Sequence, residues 1–213
     1  MKKTFFTLLA ILCITTGWAQ SCSIKSVEPN LKDYIGLLNQ AGYQVFSFDA
    51  SSLNDGNYVI TPEVRSYPGG ERFDLFGMEW QCTNRDIYEK GETVIHIIDR
   101  IKLSFTPSPN DTIRAMQFAI DGIGSRPFLF VHHPQKNEDT GEMEINYGFR
   151  QFKVDKINIG GFTPLLMYGS YWWDNDSHIF RQCGETELEP DLSSEILKQI
   201  PHYYVIGFKV EKR

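Results

Sequence analysis

Ile101-Lys102-Leu103-Ser104-Phe105-Thr106, "IKLSFT", puts an apolar side chain at every second position. Successive side chains of a strand point to opposite faces, so this period of two describes a strand with one buried and one wet face. The same pattern recurs outward from it. Met143, Ile145, Tyr147 and Phe149 alternate with Glu142, Glu144, Asn146 and Gly148, and His202, Tyr204, Ile206, Phe208 and Val210 alternate near the end of the chain. Further strands are expected near 43–49, 57–67, 112–121, 127–133 and 164–173. Turn signals separate them, among them Asn54-Asp55-Gly56, Pro68-Gly69-Gly70 and Pro107-Ser108-Pro109-Asn110-Asp111. Asn137-Glu138-Asp139-Thr140-Gly141 is expected to close a hairpin joining 127–133 to 142–154. Asp99 interrupts the apolar series Ile95, Ile97, Ile101; it marks a bend between strands or a buried functional carboxylate.

Two segments keep helical spacing instead. Leu31, Tyr34, Ile35 and Leu38 predict a helix from Asn30, its cap, to Ala41, with Gly42 ending it. Leu192, Ile196, Leu197 and Ile200 predict a short second helix between Asp191 and Pro201. The expected fold is mainly β, an antiparallel β-sandwich or strongly curved sheet with an N-terminal helix and a short C-terminal helix. A helix-on-sheet α+β layout is the alternative.

The chain starts as exported proteins do. Lys2 and Lys3 precede an apolar run from Phe5 to Ile14, and Gly17 and Ala19 offer a cleavage site. The run is too short to span a membrane, which takes about 20 residues. Residues 1–19 are therefore read as a signal peptide and 20–213 as one mainly-β domain in the periplasm or at the cell surface. Release after Ala19 is expected, with a lipid anchor on Cys22 as the alternative. Losing Lys2 and Lys3 moves the net charge from −6 to −8, since 21 basic against 27 acidic residues becomes 19 against 27. That acidity argues against a nucleic-acid partner, whose phosphates need a positive surface.

Of the four cysteines, Cys13 leaves with the signal peptide. Pairing Cys82 with Cys183 in an oxidising compartment leaves Cys22 over, so a Cys82–Cys183 disulfide is expected.

Candidate chemistry is sparse. Trp172 and Trp173 are neighbours on a strand, so one is expected in the core and the other in solvent, where with Asp174 and Asp176 it would stack on a sugar. Asp174-Asn175-Asp176-Ser177 begins like a calcium loop, but Ile179 replaces the glycine of the sixth position. His132-His133 would point to opposite faces, and His96, His178 and His202 lack familiar zinc spacing, so no metal site or cofactor is expected. Glu185, Glu187 and Glu189 form an acidic stripe suited to a protective sheet edge. Ser170 lacks the second glycine of a nucleophile elbow.

The segments "PLLMYGSYWWD" and "CGETELEPDLSSEILKQIPHYYVIGF", with the signal peptide, resemble a small family of exported proteins of unknown function from Bacteroides-type gut bacteria. The resemblance implies no activity and no catalytic residue. It does imply O-glycosylation at Asp-Thr-Ile, which makes Thr112 in Asp111-Thr112-Ile113 a candidate. The expected function is a non-enzymatic binding or interaction module with an envelope glycan or a protein as partner. The alternative is a hydrolase of glycan or another envelope polymer, using a carboxylate pair drawn from Asp174, Asp176 and Glu185. Such a pair would stand roughly 5–10 Å apart across a cleft.

Overall fold

The computed structural model describes residues 27–75, 77, 79–88, 91–107 and 112–213. The expected signal peptide, Cys22 and Asp111 lie outside the described residues. Of the described residues, those up to Gly36 belong to one unit and those from Leu37 to Arg213 to another.

Helix α1 (Leu31–Gln40) forms where its spacing predicts. Asn30 Oδ1 accepts the Lys32 N–H at 2.8 Å, and Asp33 Oδ2 accepts the Asn30 N–H at 2.7 Å, a reciprocal cap. Gly42, at φ +89°, turns the chain out of the helix. No residue of α1 is buried, and Leu31 and Ile35 are 73% and 47% exposed. The apolar face is present but uncovered among the described residues.

In chain order the strands are β1 (Gln44–Asp49), β2 (Tyr58–Tyr67), β3 (Glu71–Arg72), β4 (Cys82–Thr83), β5 (Arg85–Ile87), β6 (Thr93–Ile95), β7 (Arg100–Phe105), β8 (Ile113–Ile120), β9 (Gly124–Val131), β10 (Gln135–Lys136), β11 (Met143–Glu144), β12 (Tyr147–Phe152), β13 (Phe162–Ser170), β14 (Trp172–Asp174), β15 (Ile179–Arg181), β16 (Glu187–Leu188) and β17 (Tyr203–Lys212). Two sheets dominate. The first has the order β1-β7-β8-β9 and is antiparallel throughout. The second has the order β16-β12-β13-β17-β2-β3, with β4 also on β2; only β16 runs parallel to its neighbour.

The main core fills the space between the two sheets. Ile101, Leu103 and Phe105 of β7 and Phe118 and Phe130 of β8 and β9 meet Ile60, Tyr204, Ile206 and Phe208 from the second sheet, all nearly inaccessible to solvent. The alternation that opened the sequence analysis is borne out in β7, whose pattern runs exposed, buried, half-buried, buried, half-buried, buried.

β17 departs from that pattern, because Tyr203 and Val205, on its other face, are buried as well. There the 188–200 segment lies across the sheet, and Leu188, Ile196, Leu197 and Ile200 build a second core with Met167 and Phe152. A central strand covered on both sides is apolar on both. Gly207 of β17 cannot carry a side chain, since its Cβ would stand 2.1 Å from the Thr163 carbonyl oxygen, at the register shift between Pro164 and Leu166.

Three local expectations change. The 127–133 and 142–154 strands do not form one hairpin. β9 belongs to the first sheet and β12 to the second, and only the two-residue ladder β10–β11 closes around Asn137–Gly141. The connection is a sheet-to-sheet crossing. The C-terminal helix shrinks to one 3-10 turn, Glu195–Lys198. Leu192 adopts φ +65°, and Asp191 accepts the Ser193 N–H, so Asp191 caps a turn. The predicted apolar set still works, because Ile196, Leu197 and Ile200 are buried. Asp99 is exposed between β6 and β7 and marks the bend.

Candidate functional site

The sandwich is closed at one end and open at the other. The open end holds a cavity of about 450 Å³. Its floor is core: Ile101, Leu165 and Phe208. One wall is the end of β1, with Ser47, Phe48 and Asp49, continued by Ser51 and Ser52 of the 3-10 turn Ser51–Asp55. The opposite wall is the 154–157 strap between β12 and β13. Asp49 Oδ1 accepts the Ser51 N–H at 2.9 Å, and this backbone bond holds the Asp49 carboxyl below its usual range. The strap is tied at one side by Lys153, whose N–H donates to the Leu188 carbonyl at 2.9 Å and whose ammonium meets Glu189 at 2.6 Å. On the other side the Asn158 N–H donates to Thr163 Oγ1 at 2.9 Å. The size falls in the range of small-ligand pockets, and an apolar floor with a polar rim is their usual chemistry.

The closed end is packed with rings. His202, just before β17, has Ser66 Oγ 3.1 Å from Nε2 and Tyr147 Oη 3.1 Å from Nδ1. The exposed His133 ring lies tilted against it with ring centroids 4.0 Å apart. His132 Nε2 meets Tyr168 Oη at 2.6 Å, and Tyr204 Oη donates to the Val131 carbonyl at 2.8 Å. Burial, then the nearby His133 and His132, pushes His202 down to about 4, so the ring is neutral at pH 7. Burial likewise lifts Tyr147 and Tyr204 to about 12.

The Ser66–His202–Tyr147 spacing imitates a nucleophile, base and orienting group. The proton polarity runs the wrong way. Tyr147 Oη accepts the His133 N–H at 2.9 Å, and we assign its own hydrogen to the contact with His202 Nδ1. We assign the proton of the neutral ring to Nε2, where it points at Ser66. In this tautomer His202 cannot take the Ser66 proton, and among the described residues no carboxylate hydrogen-bonds the ring.

A second cavity, of about 540 Å³, brings Cys82 near Asp86 and His96. Both nitrogens of His96 are engaged, by Asp86 Oδ2 at 2.9 Å and the Gly122 carbonyl at 3.1 Å. Burial, with Asp86 adding to it, pushes the Cys82 thiol up to about 12, and Sγ donates to the Ile60 carbonyl. Both effects keep the half-buried thiol protonated, which disfavours it as a nucleophile.

The residues singled out in the sequence are placed as follows. Trp172 packs on the second core, while Trp173 meets Phe180 edge-on at 5.1 Å. They face opposite ways, but both are half-buried, so the expected division into one core and one solvent ring is replaced by two rings under partial cover. Asp174 pairs with Arg181 at 2.5 Å and accepts the Asp176 N–H at 3.0 Å, and these contacts hold its carboxyl low, the backbone bond most. Asp174 and Asp176 thus share one turn instead of facing each other across a cleft. Glu185 accepts the Ile196 N–H, and Glu187 lies in the edge strand β16. Thr112 is exposed.

Cys82 and Cys183 are both free, so the expected bridge is not formed. The topology explains why. Cys82 sits on β4, beyond β2, whereas Cys183 lies within the 182–185 segment that Arg150 of β12 clasps through the Gln182 and Glu185 carbonyls. β12 and β4 are four strand spacings apart, roughly 19 Å at about 4.8 Å each, and a disulfide spans at most about 7 Å between Cα atoms.

Neither the pocket nor the ring network was singled out by the sequence. Ser66 and His202 are 136 positions apart, so no local motif joins them. A family model matches residues 13–212. The chain belongs to DUF5041, a domain of unknown function. Membership agrees with the resemblance to an uncharacterised family and carries no activity to this DUF5041 chain. No curated protein and no solved structure matches it.

Proposed function

We propose that this DUF5041 protein is a non-enzymatic binding module of the cell envelope, released after Ala19, with the open-end cavity as its seat. The observation that carries the reading is the contrast in lining. The cavity combines a core floor with an exposed rim of Ser47, Ser52 and the Asp49–Ser51 pair, while the groups that could do chemistry elsewhere are committed to one another. His202 has both nitrogens occupied, Asp174 is paired with Arg181, and the half-buried Cys82 thiol is pushed up and donates to the Ile60 carbonyl. An envelope glycan or a protein segment is the partner. Thr112 is proposed as a modified residue, and its exposure supports that.

The test is amide chemical-shift mapping against a panel of soluble glycan fragments and short peptides. At least one class should move the amides of Ser47–Ser52 and of 154–157. A panel that leaves these amides still, or moves those around Ser66 and His202, contradicts the reading.

A further inference from the structure

β1 and the strap share a feature that side-chain chemistry alone does not explain. Ser47, Phe48 and Asp49 are consecutive residues of one strand, and all three line the cavity. Alternate side chains of a strand point to opposite faces. Three in a row can border one space only where that space opens on the strand's hydrogen-bonding edge. The strap repeats this, with Val154, Asp155 and Lys156 in succession. The cavity is therefore a slot between two stretches of backbone.

The β1 edge is also the one edge left unprotected among the described strands of the two sheets. β3, β4 and β16 are two residues long. β9 carries Pro127 at its middle, and its Arg126 is tied to Asp74 at 2.6 Å. Short strands and edge prolines are the usual means of blocking a further strand. β1 has six residues, an unbroken register on β7, no proline and no lysine.

We propose that the slot takes an extended peptide segment, which adds to the free edge of β1 as a fifth strand of the first sheet. This rests on the cavity being the binding seat and specifies what fills it. The edge decides between a peptide and a glycan, since only another backbone continues the β1 ladder. Ile101, Leu165 and Phe208 are 1%, 2% and 1% exposed, so the floor offers almost no surface, and Phe48 is the half-buried apolar ring of the lining. Main-chain hydrogen bonds to β1 supply most of the affinity, with one small apolar side chain against Phe48, as in strand addition generally. The guest is thus an extended segment with an aliphatic residue at its centre and small polar residues on either side.

The experiment titrates the chain from Gln20 with the blocked peptide acetyl-Gly-Ser-Val-Ser-Gly-amide, followed by amide chemical shifts. Two further peptides are N-methylated singly, at valine or at the serine after it. Backbone N–H groups of a strand alternate between its two edges, so one analogue loses a ladder bond and the other does not. Strand addition predicts that one binds about tenfold more weakly, the worth of one net hydrogen bond, and that the other matches the parent. Equal binding by both analogues overturns the proposal. A titration with chitotetraose separates the remaining outcomes. If the sugar moves Ser47–Ser52 and the peptide does not, peptide addition is wrong and the cavity reading stands. If neither moves them, both fail.

Discussion

At one end of the sandwich Tyr147, Tyr168, Tyr204, His132 and His202 fill the space between the sheets, with exposed His133 against the His202 ring. At the other, the same two sheets part over Ile101, Leu165 and Phe208 and leave a slot. The polar groups follow the packing. At the closed end hydroxyls and ring nitrogens satisfy one another in series, as buried polar groups must. At the open end Ser47, Ser51 and Ser52 are exposed, and β1 is the edge strand of its sheet. The closed end has the more suggestive residue types, a serine beside a histidine, yet its groups are spent on stability. The difference teaches that residue identity points to chemistry only when the groups remain uncommitted.

The largest effect separates the ends by stability. Tyr204 is fully buried, and Tyr204→Ala removes its ring and its bond to Val131, which should cost about 3–5 kcal/mol. Phe48→Ala, at the half-covered rim of the slot, should cost under about 2 kcal/mol. Urea unfolding of both variants checks this, and equal losses would erase the contrast.

Acid sharpens it further. The folded pKa of His202 is about 4, below its unfolded value of 6.5, so the unfolded chain binds the proton first. The stability tied to this residue is full above pH 6.5 and is lost as pH falls from 6.5 to 4. Because the ring is partly open to solvent, screening reduces the loss to about 1–2 kcal/mol. The urea midpoint should fall between pH 7.5 and pH 4.5, and His202→Phe should remove much of that slope. An unchanged slope in the variant would place the acid sensitivity elsewhere.

The cysteines give a smaller signal. In a Cys22→Ser background, a thiol reagent should label exposed Cys183 in the native protein and Cys82 only after unfolding. Failure of both to react in the unfolded, unreduced chain would restore the disulfide and overturn the strand order that separates them.

Much of the fold is legible in residues that act locally. The cap at Asn30 and the glycine at 42 mark α1, and the alternation of Ile101, Leu103 and Phe105 marks β7 and its buried face. What stays hidden depends on distant partners. Nothing near His202 announces Ser66, and nothing near Asn84 announces that its side chain gathers the Leu53 and Gly56 carbonyls and the Tyr58 N–H. The 127–133 and 142–154 strands misled for the same reason, since a turn signal shows that the chain reverses but not which sheet receives the next strand. The slot was hidden most deeply, because it is made by where β1 ends relative to the strap and not by an unusual residue in either.

Parallel titrations of the acetyl-Gly-Ser-Val-Ser-Gly-amide peptide into Ser52→Trp and Ser66→Ala proteins test the division of labour most directly. Ser52→Trp fills the mouth of the slot from an exposed turn, and Ser66→Ala cuts the hydrogen bond to His202 at the closed end. The account predicts that Ser52→Trp abolishes the shifts at Ser47–Ser52 while Ser66→Ala binds as the parent does. Binding lost in Ser66→Ala and kept in Ser52→Trp would contradict it.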